Sequence, residues 1–444
     1  MTAEGDQPGL SWNPDGNWLM TAERAGGRMQ LVLIDLQGKR KVGYLRGSDA
    51  GAGRTNPVFS PSGRRVAFVQ GEEAASSDVW VAEFPGEAPP RRISWDRTMF
   101  RGMTWVEDDG KLLVSSYRER GRAGLWLVDV DGGRKPVRLT EAVSEYRYPA
   151  YVRALRHVVY SRHTGNVAVW RRTGDWRAEG EAWIRATGLN SSAQFSPDGK
   201  RVALRSNRSG RSEIWVVEAA SGEAKRLTDF DGPVTGSPRW SPDGKKIAFD
   251  SRKYGKADIF MVDAAGGEPV RLTMEAGSNE VVPSWSGDGR GIYYASDREG
   301  GDWSLWRRNL ADGRDEKVVS PGFAGVELGG YLYYTRGPKD GGLYRMRLPG
   351  GTVEPVVASL RSSMWGNWAV HGREGLVYVE EDERGGMRLL RKGLEDLRKP
   401  AVEVGPVSEV VRWDGGLALS PDGKTLLLSR LGQGDSDLLW AVLP

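Results

Sequence analysis

The sequence has no cysteine in 444 residues and only three histidines, His157, His163 and His371. The first absence excludes disulfides, thiolate metal sites and a cysteine nucleophile. The second leaves little material for a metal or acid–base cluster, because such sites need several His, Cys or carboxylate ligands gathered together. All three histidines are read as structural or exposed, and no metal or other cofactor is expected. Long apolar runs are missing too. Nothing approaches the roughly 20 residues that a membrane-spanning helix needs, so no membrane span is expected. Residues 1–8 carry neither a basic start nor an apolar stretch. With no signal peptide visible, a soluble cytoplasmic chain is expected, or a periplasmic one if the chain is a trimmed fragment. No segment longer than one turn has a helical period, which excludes a helical solenoid. Charge of one sign is also scarce. Against 63 Lys plus Arg stand 59 Asp plus Glu, a net charge of only +4. No dense basic run occurs, so direct nucleic-acid binding is not expected.

What is abundant is Gly, Pro and Trp, with 60, 23 and 18 residues. That mixture suits many tight turns joining short aromatic-rich strands, an all-β chain. The strands come in a repeated phrase. Its clearest copy spans 237–273: Ser-Pro-Arg-Trp-Ser-Pro-Asp-Gly-Lys-Lys-Ile-Ala-Phe-Asp-Ser-Arg, then Ala-Asp-Ile-Phe-Met-Val-Asp, then Gly-Gly-Glu-Pro-Val-Arg-Leu-Thr. Other copies open at Trp12-Asn-Pro-Asp-Gly, Phe59-Ser-Pro-Ser-Gly, Trp105-Val-Glu-Asp-Asp-Gly, Phe195-Ser-Pro-Asp-Gly, Trp285-Ser-Gly-Asp-Gly and Leu419-Ser-Pro-Asp-Gly. Degenerate copies lie around Tyr151, 323–357 and 365–404. The units begin near 9, 56, 102, 148, 192, 237, 282, 323, 365 and 415. Their spacing of about 45 residues is the period of a four-stranded propeller blade.

Each piece has a physical reason. An aromatic ends the first strand. Pro then presets φ, Asp can bond its own backbone, and Gly supplies a positive φ, which together make a tight turn. Lys-Ile-Ala-Phe and Asp-Ile-Phe-Met-Val are short apolar strands, as needed where both faces of a sheet are covered. One blade cannot bury its faces alone, so blades must stack. The expectation is an all-β propeller of about ten four-stranded blades over 1–444, favoured as one ring. The alternative is two smaller propellers divided near 190. Residues 436–444 read as the third strand of the last blade, whose fourth strand is missing.

The Trp-Ser-Pro-Asp-Gly-Lys-x-Ile-Ala-Phe phrase resembles the TolB-type, WD-like propeller repeat. From Phe195 to Trp285, and again at Ser436-Asp-Leu-Leu, the order of motifs also resembles the C-terminal propeller of CadC-type winged-helix transcriptional regulators of bacteria. Phe195-Ser-Pro-Asp-Gly-Lys, Ser206-Asn-Arg-Ser-Gly, Ser212-Glu-Ile-Trp, Asp231-Gly-Pro, Ile247-Ala-Phe-Asp-Ser-Arg, Ala257-Asp-Ile-Phe and Val282-Pro-Ser-Trp-Ser carry it. That resemblance implies a ligand- or protein-binding sensor part. This chain departs from the family by opening directly in a blade, so direct DNA binding does not carry over. Repeat residues build blades and say little about function.

Candidate sites follow from the same frame. No Gly-x-Ser-x-Gly elbow is present, so a peptidase-type hydrolase is not expected, and no catalytic residue is assigned. The turn carboxylates Asp15, Asp198, Asp243, Asp288 and Asp422 are read as backbone caps rather than calcium ligands, since calcium needs six to eight oxygens. Arginines recur after the second strand (Arg118, Arg162, Arg208, Arg252, Arg298, Arg336), and acids recur near the third (Asp78, Glu213, Asp258, Asp437). They are read as clamping pairs. Binding residues are expected on the longer, more varied loops at one channel mouth: Arg101, Tyr146, Tyr148, Asn190, Asn279, Glu280 and Trp365. The leading expectation is a non-catalytic propeller, the sensor part of a regulator, that binds a protein, a peptide or a small ligand. The alternative is a TolB-like extracytoplasmic protein-binding scaffold. Least favoured is the gating domain of a serine peptidase lacking its hydrolase.

Overall fold

The computed structural model describes residues 9–442 apart from 26–27, 46–52, 74–75, 87, 119–122, 133, 141–143, 164–165, 186–187, 231–233, 301, 338–339, 383–384, 408, 413 and 433–435. The Asp231-Gly-Pro motif and residues 1–8 lie outside the described residues. The rest is all-β, broken by two single-turn 3₁₀ segments at Arg153–Leu155 and Ser362–Met364. The strands form ten antiparallel sheets, nine of four strands and one of three. In chain order they are sheet 1 (10–43), sheet 2 (53–92), sheet 3 (100–138), sheet 4 (145–163), sheet 5 (167–184), sheet 6 (190–226), sheet 7 (235–271), sheet 8 (280–319), sheet 9 (323–357) and sheet 10 (368–406). Sheets 4 and 5 also recruit strands from the C-terminal end.

That recruitment corrects the sequence reading of the last blade. Ser436–Val442 is not the third strand beside Thr425–Leu431. It pairs instead with His157–His163 and completes sheet 4 to three strands. Leu417–Leu419 and Thr425–Leu431 pair with each other and then with Val167–Thr173, so sheet 5 runs from both ends of the chain segment it closes. The chain accordingly divides into two compact units, 1–165 with 434–444, and 166–433. The division falls at Gly165, and residues near 190 lie inside the second unit.

In the first unit sheets 1 to 4 stack in chain order, each inner strand against the next. In the second unit sheets 6 to 10 follow one another, and sheet 5 touches both sheet 6 and sheet 10. This closes a ring of six sheets, with the seam held by strands from both ends, so no blade face in the ring is left without a neighbour.

The repeated phrase explains each sheet locally. In the Ser-Pro-Asp-Gly turns the serine hydroxyl accepts the amide five residues on and donates to the turn carboxylate. Ser241 Oγ, for example, accepts Lys246 N at 2.9 Å and donates to Asp243 Oδ1 at 2.6 Å, and Asp243 Oδ1 also accepts Lys245 N at 3.1 Å. Asp198, Asp288 and Asp422 repeat the pattern with Ser196, Ser286 and Ser420, while Asp15 accepts Asn17 N. These hydrogen bonds favour the ionised form and hold Asp198, Asp243, Asp288 and Asp422 below the usual carboxylate range. Gly244 closes its turn at φ +69°, a conformation other residues adopt only with strain.

The aromatic before the turn ties neighbouring sheets together. The indoles of Trp105, Trp240 and Trp285 donate to Val58 O, Gln194 O and Arg239 O, each on the preceding inner strand. The recurrent arginines pair with acids in part, Arg118 with Asp96, Arg252 with Asp250 and Arg298 with Glu280 and Asp315, and several also lie over aromatic rings. Arg118, Arg208, Arg298 and Arg336 lie over the rings of Trp126, Trp215, Trp306 and Tyr344 at 5.2, 5.1, 4.4 and 4.0 Å, a cation–π arrangement. Arg162 does meet Asp437, at 2.6 Å. The other acids turn to the outer strand and the loop after it: Asp78 to Arg92 at 2.6 Å, Glu213 to Thr228 and Phe230 N, Asp258 to Arg271 at 2.7 Å.

Candidate functional site at the channel of the six-sheet unit

Inner strands share an irregularity that positions the site. One to three residues after seven of these strands begin, the pairing slips and one residue takes a positive φ. In the second unit these are Ser192, Ser237, Val282 and Ala324, with φ between 47° and 53°. Asn56, Gly102 and Tyr148 do the same in the first unit. Such bulges re-aim side chains and are often found beside sites. Val282 is the most strained of them, because a β-branched side chain crowds its own backbone at φ +52°.

The bulges bring backbones close together at the seam of the ring. A Cβ on Gly366 would lie 2.4 Å from Asp414 O and 2.7 Å from Gly415 Cα, and one on Gly415 would lie 3.3 Å from Ser192 Oγ. Only glycine fits such an approach at Gly366. Asp414 is thereby held at the channel end where inner strands begin. Its carboxylate accepts Ser191 Oγ at 2.7 Å, Ser192 Oγ at 2.5 Å and Gly415 N at 2.7 Å, with Arg205 Nη1 at 3.6 Å. Gly236 leaves room for the Arg205 side chain, since a Cβ there would meet Arg205 Cδ at 3.3 Å. A second acid, Asp250, accepts the amide of the strained Val282 at 3.3 Å and has Arg252 Nη1 at 4.0 Å.

Between these acids stands Arg239. It is the residue before Trp240 on the inner strand of sheet 7, where the neighbouring sheets 6 and 8 carry Gln194 and Ser284. Its Nη1 donates to Pro238 O at 2.9 Å. No carboxylate approaches its guanidinium within ion-pair distance among the described residues, although the charges of Asp414 and Asp250 both act on it. Asp414 belongs to the segment leading into sheet 5, two sheets from sheet 7 around the ring. Burial lowers its pKa from the ordinary arginine value, partly offset by those two acids. Ser284 is buried, and its hydroxyl has no hydrogen-bond partner.

The residues expected at the mouth are placed as follows. Asn190 and Glu280 are the first residues of inner strands and are fully buried. Each accepts a hydroxyl from the second strand, Ser206 at 2.8 Å and Ser296 at 2.9 Å. Burial raises the Glu280 pKa against the pull of its hydroxyl donors and Arg298. Asn279 is buried and bonds Asp297 and Ala257 N. Trp365 packs edge-on against Phe323 at 5.0 Å. Tyr146 is buried against Tyr160, Arg101 is partly buried, and Tyr148 is 44% exposed at the bulge of sheet 4; all three belong to the first unit. The seven are thus divided between the two units, three in the first and four in the second. His163 bonds Ser161, His371 bonds Pro421 O, and no group of three or more His, Asp or Glu able to hold a metal occurs among the described residues. Sequence reasoning missed Arg205, Arg239, Asp250 and Asp414. A signal for Arg239 existed, since it is a cation where two adjacent copies of the phrase have neutral residues.

Comparison with known proteins agrees on the repeat. Residues 178–325 match the TolB beta propeller domain family, and this stretch contains sheets 6, 7 and 8 with Arg205, Arg239, Asp250 and Arg252. The Tol-Pal system protein TolB of Francisella tularensis subsp. holarctica (strains OSU18 and LVS) is 33% identical over 110 residues. That is 23% of this chain, and the match spans about a quarter (24%) of the length of those curated relatives. Among solved structures, a putative TolB from Agrobacterium tumefaciens is 18% identical with a TM-score of 0.49, covering 61% of this chain and 99% of its own. Oligogalacturonate lyase from Vibrio parahaemolyticus is 13% identical with a TM-score of 0.30, covering 86% and 88%. Over residues 178–325, a third of the chain, the propeller repeat is thus similar to the TolB beta propeller domain. None of these relatives is a transcriptional regulator, so the regulator resemblance rests on the motif order alone. No helix among the described residues is long and apolar enough to cross a membrane.

Proposed function

We propose that the chain is a non-catalytic, protein-binding scaffold of the TolB type, working outside the cytoplasm, that takes its partner at the channel mouth of the six-sheet unit. The observation that carries this reading is the coincidence of two things. The stretch matching the TolB propeller family supplies three of the arginines and one of the acids that ring the mouth. The same unit holds these charged side chains close to the strained backbone of Ser192, Ser237 and Val282. Mixed charge suits recognition of a polypeptide segment.

The test is capture of partners from an envelope extract by the immobilised chain, with identification by mass spectrometry. Arg205→Ala with Asp414→Asn is expected to lose a partner that Arg314→Ala, at an exposed turn of sheet 8, retains. Equal capture by both variants would remove the mouth from the reading.

A further inference from the structure

We propose that the channel of the six-sheet unit is a receptor for one monoanionic carboxylate, bound by the guanidinium fork of Arg239. The proposal deepens the reading above, since it rests on the mouth being the binding end and names the chemistry that enters it.

Three observations meet here. Arg239 is a partly exposed cation on an inner strand, and its Nη1 donates to the carbonyl of its neighbour Pro238. A planar fork with donors to spare matches the two oxygens of a carboxylate better than any neutral group does. The two acids that act on it are already engaged. Asp414 is bound by two hydroxyls and an amide, and Asp250 by the amide of Val282. They balance part of the Arg239 charge from a distance without filling the fork. Finally, Ser284, at the matching position of the next inner strand, has a buried hydroxyl that bonds nothing. An unmet polar group of this kind is costly unless a ligand or water completes it.

Charge narrows the class. Asp414 has Arg205 at 3.6 Å and Asp250 has Arg252 at 4.0 Å, so each acid has a cation of its own and the charge of Arg239 is left to a ligand. A monoanion neutralises it, whereas a phosphate dianion would stand against two carboxylates. The carboxylate has two sources, the C-terminal end of a polypeptide or a small free acid.

Isothermal titration with the full chain separates them. The probes are N-acetyl tetra-alanine with a free carboxyl end, the same peptide as its C-terminal amide, and sodium acetate. The free-acid peptide is expected to bind at least tenfold more tightly than the amide. Acetate that displaces it only at far higher concentration points to a polypeptide end, and acetate that binds as tightly points to a small acid; both support the carboxylate site. Arg239→Met is expected to lose at least tenfold, and Arg239→Lys, which keeps the charge but not the fork, to retain only part of the affinity. A melting curve checks that each variant folds, and Arg239→Lys serves alone if Arg239→Met does not. Equal binding of acid and amide, no binding of any probe, or full affinity in Arg239→Lys overturns the proposal. Loss of envelope capture by the Arg205/Asp414 pair with unchanged capture by Arg239→Met would sink this inference and leave the scaffold reading standing.

Discussion

The two units are made from the same phrase and differ in how they finish. The second unit closes: Val167–Thr173 and Thr425–Leu431, 252 positions apart at their Thr173–Thr425 end, form adjacent strands of one sheet. Its apolar faces are consequently covered by neighbours all round. The first unit ends in a sheet of three strands whose outer member, Ser436–Val442, leaves Leu438 76% and Trp440 68% exposed. At its other end Leu10 and Trp12 are 65% and 57% exposed. The difference teaches that the repeat specifies a blade but not the number of blades in a ring. Closure is decided by which strand the chain end finds.

If closure is what stabilises the second unit, its seam should be the most sensitive place in the molecule. Gly366→Val is expected to cost about 3 kcal/mol or more, because the added carbon cannot avoid the backbone at Asp414 and Gly415 without moving the seam. Urea unfolding with amide exchange would place the loss in the second unit. A loss confined to the first unit would break the comparison. Next in size is Arg172→Met. Arg172 is buried in sheet 5 and donates to Glu179 O, Trp176 O and Pro406 O at 3.0, 2.8 and 2.8 Å. Stranding three carbonyls should cost about 3 kcal/mol, read in the same experiment.

Gly244→Val tests the turn rather than the seam. Space is open there, with Pro197 Cδ 3.6 Å from an added Cβ, so the cost is backbone strain alone, about 2 kcal/mol. An unchanged melting temperature would remove the strain argument. Smaller still is a pH effect at Glu280. Its folded pKa is raised, so the folded state holds its proton more tightly than the unfolded one. The associated stability is fully present below the unfolded glutamate pKa, about 4.3, and is lost as pH rises through the higher folded value. Glu280→Gln should therefore flatten the fall in stability on going from acid to neutral pH. The turn aspartates act with the opposite sign, their contribution present at neutral pH and lost on acidification through their lowered pKa values. A variant with an unaltered pH profile would show that Glu280 does not titrate with folding. The smallest effect is expected from Trp440→Ser in the first unit, within about 0.5 kcal/mol, since the ring is already largely in water. A large loss would mean that this edge is covered in solution.

Particular residues show what could be read beforehand. Ser241, Asp243 and Gly244 build their turn from contacts within a few positions, so their roles follow from residue type and spacing. Trp240 and Trp285 were legible only as the aromatics that end an inner strand, because their indoles bond carbonyls 46 positions back in the chain. Asn190, Glu280 and Trp365 were not legible as buried groups. A polar or aromatic residue at the start of a strand looks alike whether it meets a serine in its own sheet, a ring in the next, or solvent.

By itself the sequence determined the blade, its four short strands, its turns and the near-constant interval between copies, because those depend on φ preferences and alternation within a few residues. Only the tertiary structure decided that Ser436–Val442 joins His157–His163, that six sheets close a ring, and that Asp414 meets Ser191 and Ser192 more than 220 positions away. Backbone ladders carry almost no side-chain code, so one apolar strand can pair with several partners. Which partner wins depends on covering every face at once, and that is settled only when the whole chain is folded.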